Sequence, residues 1–70
     1  LAQIKGVEYI VLLKQQRENR TGVSLRGRTR PVVHIATALG GGGHTYAAGC
    51  VIEDRIDRVR AQVIELFEGE

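Results

Sequence analysis

Alternating apolar and polar positions predict two β-strands in the first part of the chain. Residues 6–13 carry apolar side chains at both alternating sets of positions, which predicts a strand that is central in a sheet or covered on both faces. Residues 22–28 alternate strictly and place Ser24, Arg26 and Arg28 in one row on the polar side. Residues 19–22 have the composition of a turn, so we expect the strands to form an antiparallel hairpin.

Helical periodicity follows in two segments. The first has Pro31 in its first turn, an apolar stripe and a glycine stop, given by Val32, Ile35, Ala36, Leu39 and Gly40. The second is expected to begin at the N-cap Asp54 and to end at Gly69, with a stripe formed by Ile56, Val59, Val63, Leu66 and Phe67.

The segment between the helices predicts a loop and a third strand. Gly40–Gly43 is expected to run as a loop into His44, and the small apolar residues 48–53 predict a strand. The order of elements is therefore β-β-α-β-α. We expect a single domain over residues 1–70 of the α/β class, with a small mixed sheet of about three strands packed by two helices.

The composition is that of a small globular protein, with 43% hydrophobic and 26% charged residues. Because there is no Trp or Met and only one Phe, the core must consist mainly of Val, Ile, Leu and Ala. The single cysteine, Cys50, excludes an internal disulfide, and no apolar run reaches the roughly 18 residues of a membrane span. A lone cysteine suits a reducing cytoplasm, and we expect a cytoplasmic protein. The chain begins at Leu1, directly before the first apolar segment, and we expect a domain excised from a longer protein.

Charge is distributed unevenly along the chain, although the net charge is only +2. One segment is strongly basic, with Lys14, Arg17, Arg20, Arg26, Arg28 and Arg30 opposed only by Glu18. From Glu53 onward, acidic residues outnumber basic ones. A one-sided basic field favours an anionic partner, and a solubilising face that binds nothing is the alternative.

The glycine run is costly, since glycine loses more backbone entropy on folding than any other residue. A helix stop needs one glycine, and the other three leave backbone amides bare, which suits an anion-binding nest. The run does not end in the Lys-Ser/Thr of a Walker loop, and it follows a helix where a Rossmann loop follows a strand. A flexible connector is the alternative on glycine content alone.

The stretch Gly40–His44, followed by Ala47-Ala48-Gly49, resembles the Gly-Gly-Gly-His … Ala-Ala-Gly signature of the DHH-associated domain. Ser24-Leu25-Arg26 is similar to the Ser-Leu/Ala-Arg strand of the same family. The resemblance extends from Ile4 to Phe67 and is closest to the bacterial oligoribonuclease and pAp-phosphatase (nano-RNase) type. Alanyl-tRNA synthetases carry a more distant version, whose glycine loop usually lacks the histidine.

The resemblance implies a division of labour between two domains. An N-terminal DHH catalytic domain, absent from this chain, would hold two manganese ions and hydrolyse the phosphoester. The associated domain would bind substrate phosphate through Gly41, Gly42, Gly43 and His44, with Arg26 and Ser24 on the neighbouring phosphate or base. Arg28, on the same strand face, is a further substrate-binding candidate on its charge alone, and general attraction to polyanions is the alternative. The family often has Ser where this chain has Gly27, so that any contact from this side chain is lost or unneeded.

Residue chemistry agrees with these roles. An Arg guanidinium can bind a phosphate in a bidentate pair, and a His beside bare amides can donate to a phosphoryl oxygen as its charge grows. The two His residues and the scattered acids include no dense cluster of metal ligands, so we expect neither a metal nor catalysis in this chain alone.

Other residues carry structural expectations. His34 should lie on the surface, Arg17 and Arg20 should be solvated turn charges, and Cys50 should be a small core residue. Tyr46 could stack on a base, but we expect it to cover the thin core. Residues 47–49 should pack closely and hold the glycine loop.

The leading hypothesis is the substrate-binding module of a hydrolase acting on short single-stranded RNA, pAp or a related nucleotide phosphoester. Two alternatives stay open: an RNA-binding module of the kind found in alanyl-tRNA synthetases, and a domain whose function is homodimerisation. No membrane partner is expected.

Overall fold

The computed structural model describes residues 8–69, which form four strands and two helices. In chain order these are β1 (Tyr9–Arg17), β2 (Arg20–Gly27), α1 (Val33–Ala38), β3 (Gly42–His44), β4 (Ala47–Ile52) and α2 (Ile56–Glu68). The sheet order is β1-β2-β4-β3, and every neighbouring pair is antiparallel. The α/β class with two helices is thus confirmed, whereas the sheet has a fourth strand and is antiparallel, not mixed.

The fourth strand explains the change in strand direction. A strand–helix–strand connection normally places its two strands parallel, which favours a mixed sheet. Here part of the expected glycine loop forms β3, and a tight hairpin at Thr45 and Tyr46 turns the chain back into β4. Because of this extra reversal, β4 lies antiparallel to β2.

Both helices pack on one face of the sheet and enclose a thin aliphatic core, as the composition predicted. The buried hydrophobic side chains are Val23, Leu25, Val32, Ile35, Ala36, Val59 and Val63. Thr21 is the buried polar residue of the described chain, and its hydroxyl donates to Asp54 O at 3.0 Å. This bond joins β2 to the segment that leads into α2 and satisfies a hydroxyl that would otherwise be costly to bury.

The first strand differs from its prediction in position. It lies at an edge of the sheet, and it continues to Arg17, so that the turn is at residues 18–19 and not 19–22. Thr21, which the sequence placed in the turn, pairs with Gln15 in the sheet and is buried. Ile10 and Leu12 lie on the face that the helices do not cover. The expected beginning of this strand, at residues 6–7, falls outside the described residues.

The helix ends differ slightly from the sequence pattern. Pro31 precedes α1, whose N-cap is Val32, and Arg55 stands at the N-cap of α2 where Asp54 was expected. The Asp54 carboxylate instead accepts from the amide of Arg55 at 2.8 Å. Within residues 8–69, no helix is long and apolar enough to cross a membrane.

Candidate functional site

The sheet presents one face that neither helix covers, here called the open face. Antiparallel pairing places directly opposed residues on the same side of a sheet. Arg26 is opposed to Ala47, and Ala47 to His44, so these three side chains form a row across β2, β4 and β3. The backbones of β2 and β3 are about 10 Å apart, twice the interstrand spacing. The two predicted binding residues thus flank the alanine between them.

The next row on the open face is built from small residues. Ser24 is opposed to Gly49, and Gly49 to Gly42. Together the two rows form a shallow depression of about 280 Å³, lined by Ser24, Leu25, Arg26, Gly42, Gly43, Ala47, Ala48 and Gly49. No Asp or Glu is among these lining residues. The depression combines a guanidinium, a hydroxyl and exposed backbone, and His44 stands at its edge.

The first two glycines of the run have structural roles at the end of α1. Gly40 adopts a φ of 87°, and its amide donates to Thr37 O at 3.0 Å. The amide of Gly41 donates to Ala36 O at 2.8 Å, which completes a Schellman motif. A Cβ on Gly41 would collide with Gly49 O and with Cys50. Gly41 therefore packs against β4 and does not line the depression, unlike two of the other predicted loop residues.

The last two glycines differ sharply from each other. Gly43 has a φ of 145°, and a Cβ there would come within 2.7 Å of the Ala48 Cα. Gly42 has no positive φ, and a Cβ there would meet no atom of the described structure within 4 Å. Gly42 is thus the member of the run for which neither backbone conformation nor packing explains the missing side chain.

Backbone hydrogen bonding limits which amides can reach a ligand. The amides of Gly40 and Gly41 already donate to α1, so any backbone contact to an anion is restricted to residues 42–44. Gly27 N donates to Tyr46 O at 2.9 Å, so the even-numbered residues of β4 bond to β2. The odd-numbered residues Ala47 and Gly49 then bond to β3, where their partners are His44 and Gly42. By the same alternation the amide of Gly43 points outward at the sheet edge.

Arg28 lies beyond the end of β2 and does not line the depression. Its amide donates to Glu8 O at 2.9 Å, and its charge faces the Glu8 carboxylate. The hydroxyl of Thr29 donates to that carboxylate at 2.6 Å and is the main cause of the lowered pKa of Glu8, to which the charges of Arg28 and Arg30 also contribute. The positive charge of Arg28 is thus partly compensated within the domain.

The position of Gly27 explains one departure from the family pattern. A Cβ at Gly27 would collide with the backbone carbonyl of Arg30. A serine side chain could not be accommodated here without moving the segment that leads to α1.

Arg20 and Arg26 have different surroundings. Arg20 donates to Glu53 from Nε at 2.9 Å and from Nη2 at 2.6 Å, and this pairing raises the pKa of Arg20. The Arg20 side chain stays 41% exposed, as a solvated charge would, but it lies in β2 and not in the turn, and it is paired with Glu53. Arg26 and His44 are exposed, and neither forms an ion pair with any residue between 8 and 69. Arg26 therefore provides a positive charge that no described carboxylate compensates.

Residues on and next to β4 differ in how well the sequence predicted their positions. Tyr46 is 49% exposed, so the expectation that it covers the core is wrong. Cys50 packs against the core as predicted, and burial raises its pKa. Ala47 and Gly49 form the floor of the depression, a role that the sequence analysis missed. Their small size in alternate positions of a strand was the available signal. Among residues 8–69 no three His, Cys, Asp or Glu side chains are grouped as metal ligands would be.

Comparison with known proteins places the chain in a family. A search of curated proteins found no match. The family model described as the DHHA1 domain matches residues 1–69. This range includes β2, β3 and β4, the three strands that build the depression. The chain therefore belongs to the DHHA1 family and is a domain associated with DHH-family phosphoesterases.

Proposed function

We propose that the depression on the open face binds the phosphate of a short nucleotide phosphoester. The observation that carries this proposal is the row formed by Arg26, Ala47 and His44, in which two polar side chains flank a floor of small residues. A guanidinium can take two phosphate oxygens in a bidentate pair. The Ser24 hydroxyl adds a donor in the depression, and the outward-pointing amide of Gly43 adds one at the adjoining sheet edge.

The open site suits an anion because it offers positive charge without competing acids. Arg26 forms no ion pair with the described residues, whereas Arg20 is paired with Glu53 and Arg28 lies near enough to the Glu8 carboxylate for its charge to lower the pKa of Glu8. An anion would therefore meet Arg26 before the other arginines on this strand. His44, at the far end of the row, would donate a hydrogen bond to an oxygen whose negative charge increases during reaction.

We further propose that this domain forms the substrate-binding half of an oligoribonuclease or pAp phosphatase of the nano-RNase type, located in the cytoplasm. The glycine run with His44 and the following Ala-Ala-Gly favour that type. A separate N-terminal DHH domain, carrying two manganese ions, would supply the hydrolytic chemistry. The residues of this chain would bind and orient the substrate, and the isolated chain would show no turnover.

NMR titration of the 70-residue chain with pAp and with a short RNA tests the proposal. Because half of the binding surface belongs to the catalytic domain, we expect a Kd of about 10⁻⁴ M or weaker that increases with salt. Shift changes should concentrate at Ser24, Arg26, Gly42 and His44. Arg26→Ala should abolish measurable binding, while the matched control Arg28→Ala, which removes the same charge outside the depression, should retain it.

Kinetics of the two-domain enzyme separate the roles of the two side chains. His44→Ala should lower kcat roughly 100-fold, as removal of an oxyanion donor does. Arg26→Ala should mainly raise KM, because it would hold substrate equally in the ground and transition states. Normal turnover by His44→Ala, or shift changes confined to the helix side of the sheet, would contradict the proposed site.

A further inference from the structure

A second surface lies on the opposite side of the sheet, in a groove between β1 and α2. The groove measures about 480 Å³, and its lining includes Tyr9, Val11 and Leu13 of β1 and Arg60, Ile64 and Glu68 of α2. Its lining is mostly apolar, and Ile64 is 41% exposed there. Arg60 and Glu68 are the charged residues of the lining, and neither forms an ion pair within residues 8–69.

The helix runs antiparallel to the strand along this groove. At one end, the rings of Tyr9 and Phe67 pack with their centroids 4.6 Å apart. At the other end, Thr21, which is opposed to Gln15 of β1, donates to Asp54 just before α2 begins. The start of α2 therefore lies near the end of β1, and the end of α2 lies near the start of β1.

The strand positions and the two charged positions of the groove lining are each evenly spaced about a central residue. Val11 is midway between Tyr9 and Leu13 on the strand, and Ile64 is midway between Arg60 and Glu68 on the helix. The strand interval spans about 14 Å and the helix interval about 12 Å. A two-fold axis between two copies, level with Val11 and Ile64, would therefore bring Arg60 of one copy to Glu68 of the other at both ends. Apolar residues would lie between these two charged contacts.

The free edge of β1 has the same centre. Arg28 N donates to Glu8 O, so the alternation of the ladder directs the even-numbered residues of β1 toward β2. The backbone groups of Tyr9, Val11 and Leu13 then point outward, and no strand among residues 8–69 pairs with them. Antiparallel pairing of Val11 with Val11 of a second copy would satisfy all six of these groups.

We propose that the edge of β1 and the adjoining groove form a two-fold interface with a second copy of this chain. The two sheets would join into one of eight strands, with the helices of both copies on one side and both open faces on the other. Arg60 and Glu68 have opposite charges and lie on either side of an apolar patch beside a free strand edge. This arrangement is complementary to a second copy of itself, and a partner carrying a single sign of charge would match only one of the two residues. This inference does not depend on the phosphate site.

Sedimentation equilibrium of the 70-residue chain, from micromolar to millimolar concentration, tests the interface. We expect a reversible dimer. Arg60→Glu should weaken it about tenfold, because symmetry turns two attractive contacts into two repulsive ones. Arg60→Glu combined with Glu68→Arg should restore the wild-type affinity. Ile64→Lys, which places two like charges at the two-fold axis, should give a monomer whose circular dichroism is unchanged.

Arg58→Glu is the matched control, since it makes the same charge change on α2 outside the groove lining. It should leave the dimer intact. A wild-type chain that stays monomeric at millimolar concentration would overturn the proposal. So would a dimer that tolerates Ile64→Lys, or a double charge reversal that remains as weak as the single one.

Discussion

The last two glycines of the run allow a direct separation of structural and ligand-binding roles. Gly42→Ala adds a methyl group where the domain has space and where the backbone φ is not positive. Gly43→Ala adds the same methyl group at a φ of 145° and within 2.7 Å of the Ala48 Cα. The two substitutions are chemically identical and adjacent, yet we expect opposite effects on stability.

The magnitudes follow from this local geometry. Replacing glycine by alanine at a compatible position stabilises a protein by about 0.4–1 kcal/mol, since it reduces the entropy of the unfolded chain. Gly42→Ala should therefore raise the melting temperature by a few degrees. At Gly43, conformational strain of about 1–3 kcal/mol adds to the clash and should lower the melting temperature by roughly 4 °C or more.

Binding should respond in the opposite sense at Gly42. Its Cβ would stand on the floor of the depression, opposite Gly49, and would hold a phosphate away from the Ser24 hydroxyl and the Gly43 amide. Loss of one hydrogen bond to a charged group costs about 1.5–3 kcal/mol, which corresponds to roughly 10- to 100-fold weaker binding. Thermal melts and NMR titration with pAp on both variants measure these effects. If Gly42→Ala bound pAp as tightly as the wild type, close backbone approach would be refuted. If Gly42→Ala had a lower melting temperature than the wild type, the inference that residue 42 has space for a Cβ and no positive φ would be wrong.

Further predictions concern the fold and the thiol. Thr21→Val should lower the free energy of unfolding by about 1–3 kcal/mol in urea melts, because it leaves the Asp54 carbonyl without its buried donor; an unchanged midpoint would contradict this. Leu25→Ala, at 1% exposure, should cost about 2–5 kcal/mol in the same assay. Cys50 should react slowly with iodoacetamide at pH 8, because its raised pKa leaves less thiolate than in the unfolded chain, and urea should accelerate the reaction. Equal rates with and without urea would count against this.

Local features of the fold were predictable because they depend on neighbours in sequence. The apolar stripe of α2 repeats with the helical period, and Ser24 and Arg26 share a face because strand side chains alternate. Gly40 was recognisable as a helix stop, since an αL residue at that position satisfies the carbonyls of the last turn. The family was also recognisable, because its signature lies in short contiguous motifs.

Other features depended on contacts between distant segments. No local pattern indicates that Gly42–His44 would form an edge strand, because glycine disfavours strands and only pairing with β4 stabilises one here. The exposure of Tyr46 and the pairing of Arg20 with Glu53 depend on how β2 and β4 pair in the sheet. The residue types alone do not indicate either feature.

The candidate site shows the same division. The residue types at Arg26 and His44 were given by the sequence, with the chemistry they could perform. Their placement in one row across Ala47 was decided by the register of β2, β4 and β3, which bury Leu25 and Ala48 against the helices on the other face. Burial of that apolar face fixes the register, because a shift of one residue would turn every side chain of a strand to the opposite side.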